Sequence, residues 1–177
     1  MAYCNQTLKG ITLSCDNNKG GIKTVYIANY GDVVKPTPEG DIINTIEMVG
    51  NAKFYPYQFR KNTGSMTSTL TADESNGLNY VTTEISLVFT KMQTKTRVEL
   101  AALSIGQLAV IVEDSNSTYW YCTMDDYAAA SAGTGETGVA KGDRNAFSLT
   151  LSVENDSYPI EVSAAAVQAV VATIDEE

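Results

Sequence analysis

A mainly β fold, in which antiparallel sheets form a β-sandwich or barrel-like arrangement with one or two short α-helices and an extended hairpin or loop, is predicted by three features of the sequence. Two segments alternate apolar and polar residues with a period of two. An apolar run turns back on an aromatic one across a polar turn. Glycine, asparagine or aspartate separates one such segment from the next. The 177 residues suffice for one domain with a proper core and are few for two, so residues 1–177 are read as a single domain. With 44% hydrophobic and 19% charged residues, a mainly disordered chain is excluded.

In chain order, Thr7 to Leu13 is a weak strand candidate, followed by a strand from Ile22 to Tyr30 and a second weak candidate from Asp41 to Val49. Asn51 to Arg60 reads as a strand interrupted by Pro56. Proline cannot donate to a ladder, so this strand belongs at a sheet edge or in a bulge. Ser65 to Leu70 is the next strand. The clearest is Tyr80 to Phe89, where Val81, Thr83, Ile85, Leu87 and Phe89 share one face and Thr82, Glu84 and Ser86 share the other.

A helix is expected from Thr96, because Thr96 and Glu99 have capping-box spacing, Leu100 to Leu103 continue it and Gly106 can stop it. Gln107 to Val112, the polar turn Glu113 to Ser117, and Thr118 to Tyr121 form a predicted hairpin. Residues 128–145 are rich in Ala, Gly, Thr and Ser and read as a flexible Gly-rich loop within the domain. Phe147, Leu149, Leu151 and Val153 mark a second half-buried strand. Ser163 to Val171 reads as a helix, with a terminal strand left open by its β-branched residues.

The chemistry that the composition permits is narrow. Twenty-one acidic against 12 basic residues give a net charge of −9, which disfavours tight wrapping of nucleic acid. No histidine is present, which removes most hydrolase triads, the common zinc sites and the usual neutral-pH proton shuttle. Cys4, Cys15 and Cys122 are too few for a disulfide framework and are read as reduced. No stretch approaches the roughly 20 apolar residues of a membrane span, and the first residues lack a signal-peptide pattern, so synthesis in a cytoplasm is expected.

Several motifs are weighed against plainer readings. Gly133-Thr134-Gly135-Glu136-Thr137-Gly138 matches G-x-G-x-x-G, but no apolar strand precedes it and no helix follows, so a loop is preferred to a nucleotide site. Asp16 to Gly21 faintly matches a calcium loop with two ligands missing, and a turn is preferred. Asp125-Asp126, with Glu113 and Asp114, are read as solvated turns rather than as a metal site. Cys122 has no histidine to activate it and is read as a core residue. Trp120 points opposite to Tyr119 and Tyr121, so the three make no flat sugar-stacking platform. No enzyme activity and no cofactor are expected.

The alternating strand at Tyr80 to Phe89, the helix at Thr96, the hairpin from Gln107-Leu108-Ala109-Val110-Ile111-Val112 to Tyr119-Trp120-Tyr121, and the Gly-rich loop leading to Asp143-Arg144-Asn145-Ala146-Phe147-Ser148-Leu149-Thr150-Leu151 together resemble the tail-tube (major tail) structural proteins of bacteriophages. The likeness spans roughly residues 22–162 and lies in pattern rather than in a diagnostic motif. It implies a β-sandwich with a flanking helix and an extended hairpin, in copies that form rings, usually hexameric. Stacked rings would form a tube through which DNA passes without tight binding, in a virion made in a bacterial host cytoplasm.

The partners so implied are copies of the chain itself and other tail or neck proteins, with no catalytic residues. At −9 per copy a six-membered ring carries −54 before counterions, a sign that repels phosphate. Gly133, Gly135, Gly138 and Gly142 are the candidate assembly residues, because a glycine-rich loop is costly to order without a partner. Two other readings are a head decoration, fibre or pilus-like subunit, and a carbohydrate-binding β-sandwich.

Overall fold

The computed structural model describes residues 8–58 and 60–173. In chain order the strands are β1 (Ile22–Asn29), β2 (Val33–Val34), β3 (Ile42–Ile43), β4 (Glu47–Met48), β5 (Tyr55–Gln58), β6 (Ser65–Asp73), β7 (Leu78–Thr90), β8 (Leu108–Asp114), β9 (Tyr119–Tyr121), β10 (Ala129–Glu136), β11 (Ala146–Asn155) and β12 (Ile160–Val162). Helix α1 (Thr94–Ile105) lies between β7 and β8, and α2 (Ala164–Val170) follows β12.

The two alternating segments pair with each other. β7 and β11 run antiparallel with Ile85 opposite Leu151 and Leu87 opposite Leu149, so their apolar residues fall on one face. They form the centre of a four-stranded sheet in the order β10-β11-β7-β6. A six-stranded sheet, β3-β12-β9-β8-β1-β5, covers that face. Val25, Ile27, Val110 and Val112 of the larger sheet and Ile85, Leu87, Leu149, Leu151 and Val153 of the smaller one share a single core, which makes the fold a β-sandwich.

The far face of the larger sheet is also covered. Ala28, Ala109, Ile111, Tyr121 and Val162 pack there with Phe54 and with Ala166, Val167 and Val170 of α2. This second core explains why β8 is a continuous apolar run, since Leu108 to Val112 are buried on both sides. The smaller sheet is covered on its other face only at one end, where Val88 and Ala146 are buried. Its other face shows Ser65, Thr67, Thr69 and Thr71 of β6 beside Thr82, Glu84 and Ser86 of β7 and Ser148, Thr150 and Ser152 of β11.

Most sequence expectations match these elements. The hairpin joins β8 and β9, with Ile111 opposite Tyr121 and Val112 opposite Trp120. β5, the strand with Pro56, is an edge strand of the larger sheet. Its expected continuation through Phe59 lies outside the described residues. Ser163 N-caps α2, its hydroxyl accepting from Ala166 N at 3.4 Å, which settles the open choice there in favour of a helix.

Three expectations are corrected. Residues 8–13 form no strand, because no sheet edge is paired with them, and Thr7 lies outside the described residues. Of Asp41 to Val49 only β3 and β4, two residues each, are extended. Helix α1 starts at Thr94 with extended Gln93 as its N-cap, so Thr96 sits inside the first turn and no capping box forms. The Glu99 carboxylate instead accepts a 3.1 Å hydrogen bond from the Tyr57 hydroxyl. Gly106 caps the C-terminus as expected.

Candidate functional site

The first half of the predicted loop over 128–145 is a strand. β10 pairs with β11 from Ala129 opposite Ser152 to Glu136 opposite Ala146, with one irregularity between Ala130 and Ala132. Alanine and glycine are poor strand formers, but seven ladder positions against a fixed neighbour outweigh that preference. The turn at residues 137–145 then returns the chain to β11.

The four glycines are therefore separated by role. Gly133 and Gly135 lie in β10, and Gly138 and Gly142 lie in the turn. A side chain at Gly135 would meet the Phe147 ring at 2.8 Å, so its absence lets Phe147 and Met92 close over the strand. Gly138 has φ of +68°, a left-handed conformation that suits glycine. Nothing approaches the position of a Gly142 side chain within 4 Å. A side chain at Gly133 would come within 3.3 Å of the Ser148 carbonyl oxygen, so three of the four have reasons inside the monomer.

The turn is held by one carboxylate. Asp143 accepts from Ala140 N at 2.7 Å and Val139 N at 2.8 Å, and these bonds hold its pKa below the usual carboxylate value. A depressed folded pKa gives stability that is present above the unfolded pKa and lost as pH falls through the folded one. The turn should therefore open only in acid, with an Asp143 carboxyl midpoint below the ordinary value in an NMR titration. A midpoint at the ordinary value would show that the turn does not rely on this group.

The motifs weighed from sequence have structural occupations. Glu113, 3% exposed, accepts from Lys23 Nζ at 2.6 Å and from the Tyr26 hydroxyl at 3.1 Å. Asp114 ties the hairpin turn, accepting from Asn116 N, Thr118 N and Trp120 Nε1. Asp125 pairs with Lys35 at 3.1 Å, and Asn18 and Lys19 dock on Asn116 at that turn. Among the described residues no three acidic or cysteine side chains gather as metal ligands. Cys122 is fully buried and burial pushes its thiol pKa up, whereas Cys15 is exposed and Cys4 lies outside the described residues. Tyr121 is buried and its phenol is pushed up to about 12. Trp120 is half-buried, with its N–H held by Asp114.

A cleft of about 420 Å³ lies between β5 and α1, lined by Tyr55, Tyr57, Phe89, Lys95, Glu99 and Leu100. It is modest and half-walled by the Tyr57–Glu99 bond. The more extensive feature is the smaller sheet itself. Its edge strands β10 and β6 run eight and nine residues, and neither contains proline or lysine, two of the devices that blunt a sheet edge, while β10 has one irregularity, at its start. None of the four strands carries a lysine or an arginine, and Glu84 and Glu154 on the exposed face are acidic.

Sequence reasoning marked the glycines of β10 but missed that β10 is an edge. The signal lay in the absence of lysine and proline over 129–136. No helix of the described residues is long and apolar enough to cross a membrane. Comparison with models of protein families, with curated proteins and with solved structures finds no match to the chain.

Proposed function

We propose that the chain is a virion structural protein of the tail-tube kind, whose copies close into rings and stack into a tube that conducts DNA. The observation that carries this reading is the four-stranded sheet, open along both edges and polar, without cations, on its uncovered face. An open edge is a template for another strand, and pairing β10 of one copy with β6 of the next repeats head to tail until a ring closes. Closing the sheets in this way turns the hydroxyl-rich face toward the ring's interior or exterior as a continuous band.

Turned inward, that band gives a bore of hydroxyls and carboxylates. Such a lining offers phosphate no ion pair, so a polyanion passes without being held. Other tail or neck proteins would engage the ends of the tube, and the chain would act without cofactor or catalysis.

The test is negative-stain microscopy and light scattering of purified protein as its concentration rises. Open-bored rings or tubes are expected, with no retention of duplex DNA at physiological salt. Trimers or solid filaments would favour a decoration, fibre or pilus-like subunit. A monomer at every concentration would overturn the reading.

A further inference from the structure

The two ends of the smaller sheet are oppositely charged. At one end, Arg60, Lys61, Lys91, Lys95, Arg97 and Lys141 are all exposed, and none has an ion-pair partner among the described residues. These residues come from three distant segments that the fold ties together. Arg60 Nε donates to Thr90 Oγ1 at 3.1 Å, Lys91 N to Asn145 O at 2.8 Å, and Met92 N to Asn145 Oδ1 at 2.9 Å. The acids nearby are engaged internally: Glu99 by Tyr57, Glu136 by Arg144, and Asp143 by the turn amides.

At the other end the sign reverses. Asp73 and Glu74 begin the β6–β7 turn, and Glu154 and Asp156 close β11. Asp125 and Asp126 are brought beside them by Asp125 N donating to Asn155 Oδ1 at 2.9 Å and Asp156 N donating to Asp125 Oδ2 at 3.2 Å. Lys35, paired with Asp125, is the cation there. β7 crosses from one end to the other in 13 residues, a span of about 40 Å at about 3.3 Å per residue. That is several times the screening length of about 8 Å in physiological salt, so the two ends do not neutralise each other within one copy.

We infer that these ends are the two halves of an axial contact, the basic end of one copy seating on the acidic end of a second copy. The inference rests on the self-assembly reading above and assigns the surface by which rings stack, as distinct from the edges by which they close. Complementary ends on one chain make a heterologous contact that propagates along the strand direction, and their attraction sets register and association rate. Nucleic acid at the basic end is the competing occupant. It leaves the matching acidic end without a role.

The test is a charge exchange. Lys61→Glu, Lys91→Glu, Lys95→Glu and Lys141→Glu together make both ends acidic, and Glu74→Lys, Asp126→Lys, Glu154→Lys and Asp156→Lys together make both ends basic. All eight side chains are exposed, and unchanged circular dichroism and melting confirm that each variant folds. Each quadruple variant alone is expected to need a concentration about tenfold or more above wild type for tube growth by light scattering. An equimolar mixture of the two is expected to recover growth, because unlike ends meet again, and wild-type growth is expected to weaken with added salt.

If both variants grow tubes as wild type does, or if the mixture stays inactive, the charge contact is wrong and the tube reading stands. If wild type shows no self-association at all, the tube reading fails and this inference with it. Wild-type binding of a short DNA duplex that the quadruple glutamate variant removes, while tube growth persists, would make the basic end a nucleic-acid site and overturn the inference.

Discussion

Ile85→Asp and Leu87→Asp each yield a chain that does not fold, whereas Glu84→Gln melts within a degree or two of wild type. Ile85 and Leu87 are fully buried at the centre of β7, against Leu151 and Leu149 of β11 and the opposing sheet. A carboxylate there has no partner, and its burial costs several kcal/mol, a large part of the roughly 5–15 kcal/mol that holds an ordinary domain. Glu84 is exposed on the hydroxyl-rich face, so its neutral analogue removes one surface charge and no packing. Circular dichroism and thermal melting decide the matter. Aspartate variants that melt like wild type would mean that the two faces of β7 are exchanged.

Phe54→Ala is expected to cost about 3–5 kcal/mol, which lowers the melting temperature by roughly 6–20 °C in a chain of this size. Phe54 is fully buried in the second core, where it joins α2 to the larger sheet. Its backbone is tied there as well, Phe54 N donating to Val170 O at 2.9 Å and Ala172 N to Phe54 O at 2.8 Å. The neighbouring Tyr55 is 59% exposed, and Tyr55→Ser should change stability by no more than about 0.5 kcal/mol. Chemical denaturation of both variants measures the contrast. Equal losses would show that the second core contributes little and that α2 is only loosely docked.

The parts of the fold that were legible in the sequence are those where burial leaves a pattern. β7 and β11 each have one dry and one wet face, and their residues alternate accordingly. β8 is dry on both faces and reads as an apolar run, and Pro56 marked β5 as an edge because a missing N–H is tolerated only there. β10 left no such pattern. Its residues are too small to bury much surface, and it is held by the ladder to β11 rather than by its own preference.

Thr96 and Glu99 misled because capping-box spacing is local while the fate of Glu99 is not, Tyr57 being 42 positions away in sequence. The candidate site was legible only in part. The glycines were visible, but the cations of residues 60–61, 91–97 and 141 and the acids of residues 73–74, 125–126 and 154–156 become two opposed surfaces only when the strands align their ends.

The place of β1 between β5 and β8 governs how the chain must be made. Val25 pairs with Val112, 87 residues further on, and Tyr57, its other neighbour, comes well before that. At a synthesis rate of about 5–20 residues per second, β1 waits roughly 4–17 s after leaving the ribosome before its central partner exists. During that interval Val25 and Ile27, fully buried at the end, are wet and can pair only with β5. The nascent chain must therefore shield an apolar strand pair before it owns a core, and a pause or truncation anywhere between residues 58 and 112 would release a sticky, unfinished sheet rather than a smaller version of the fold.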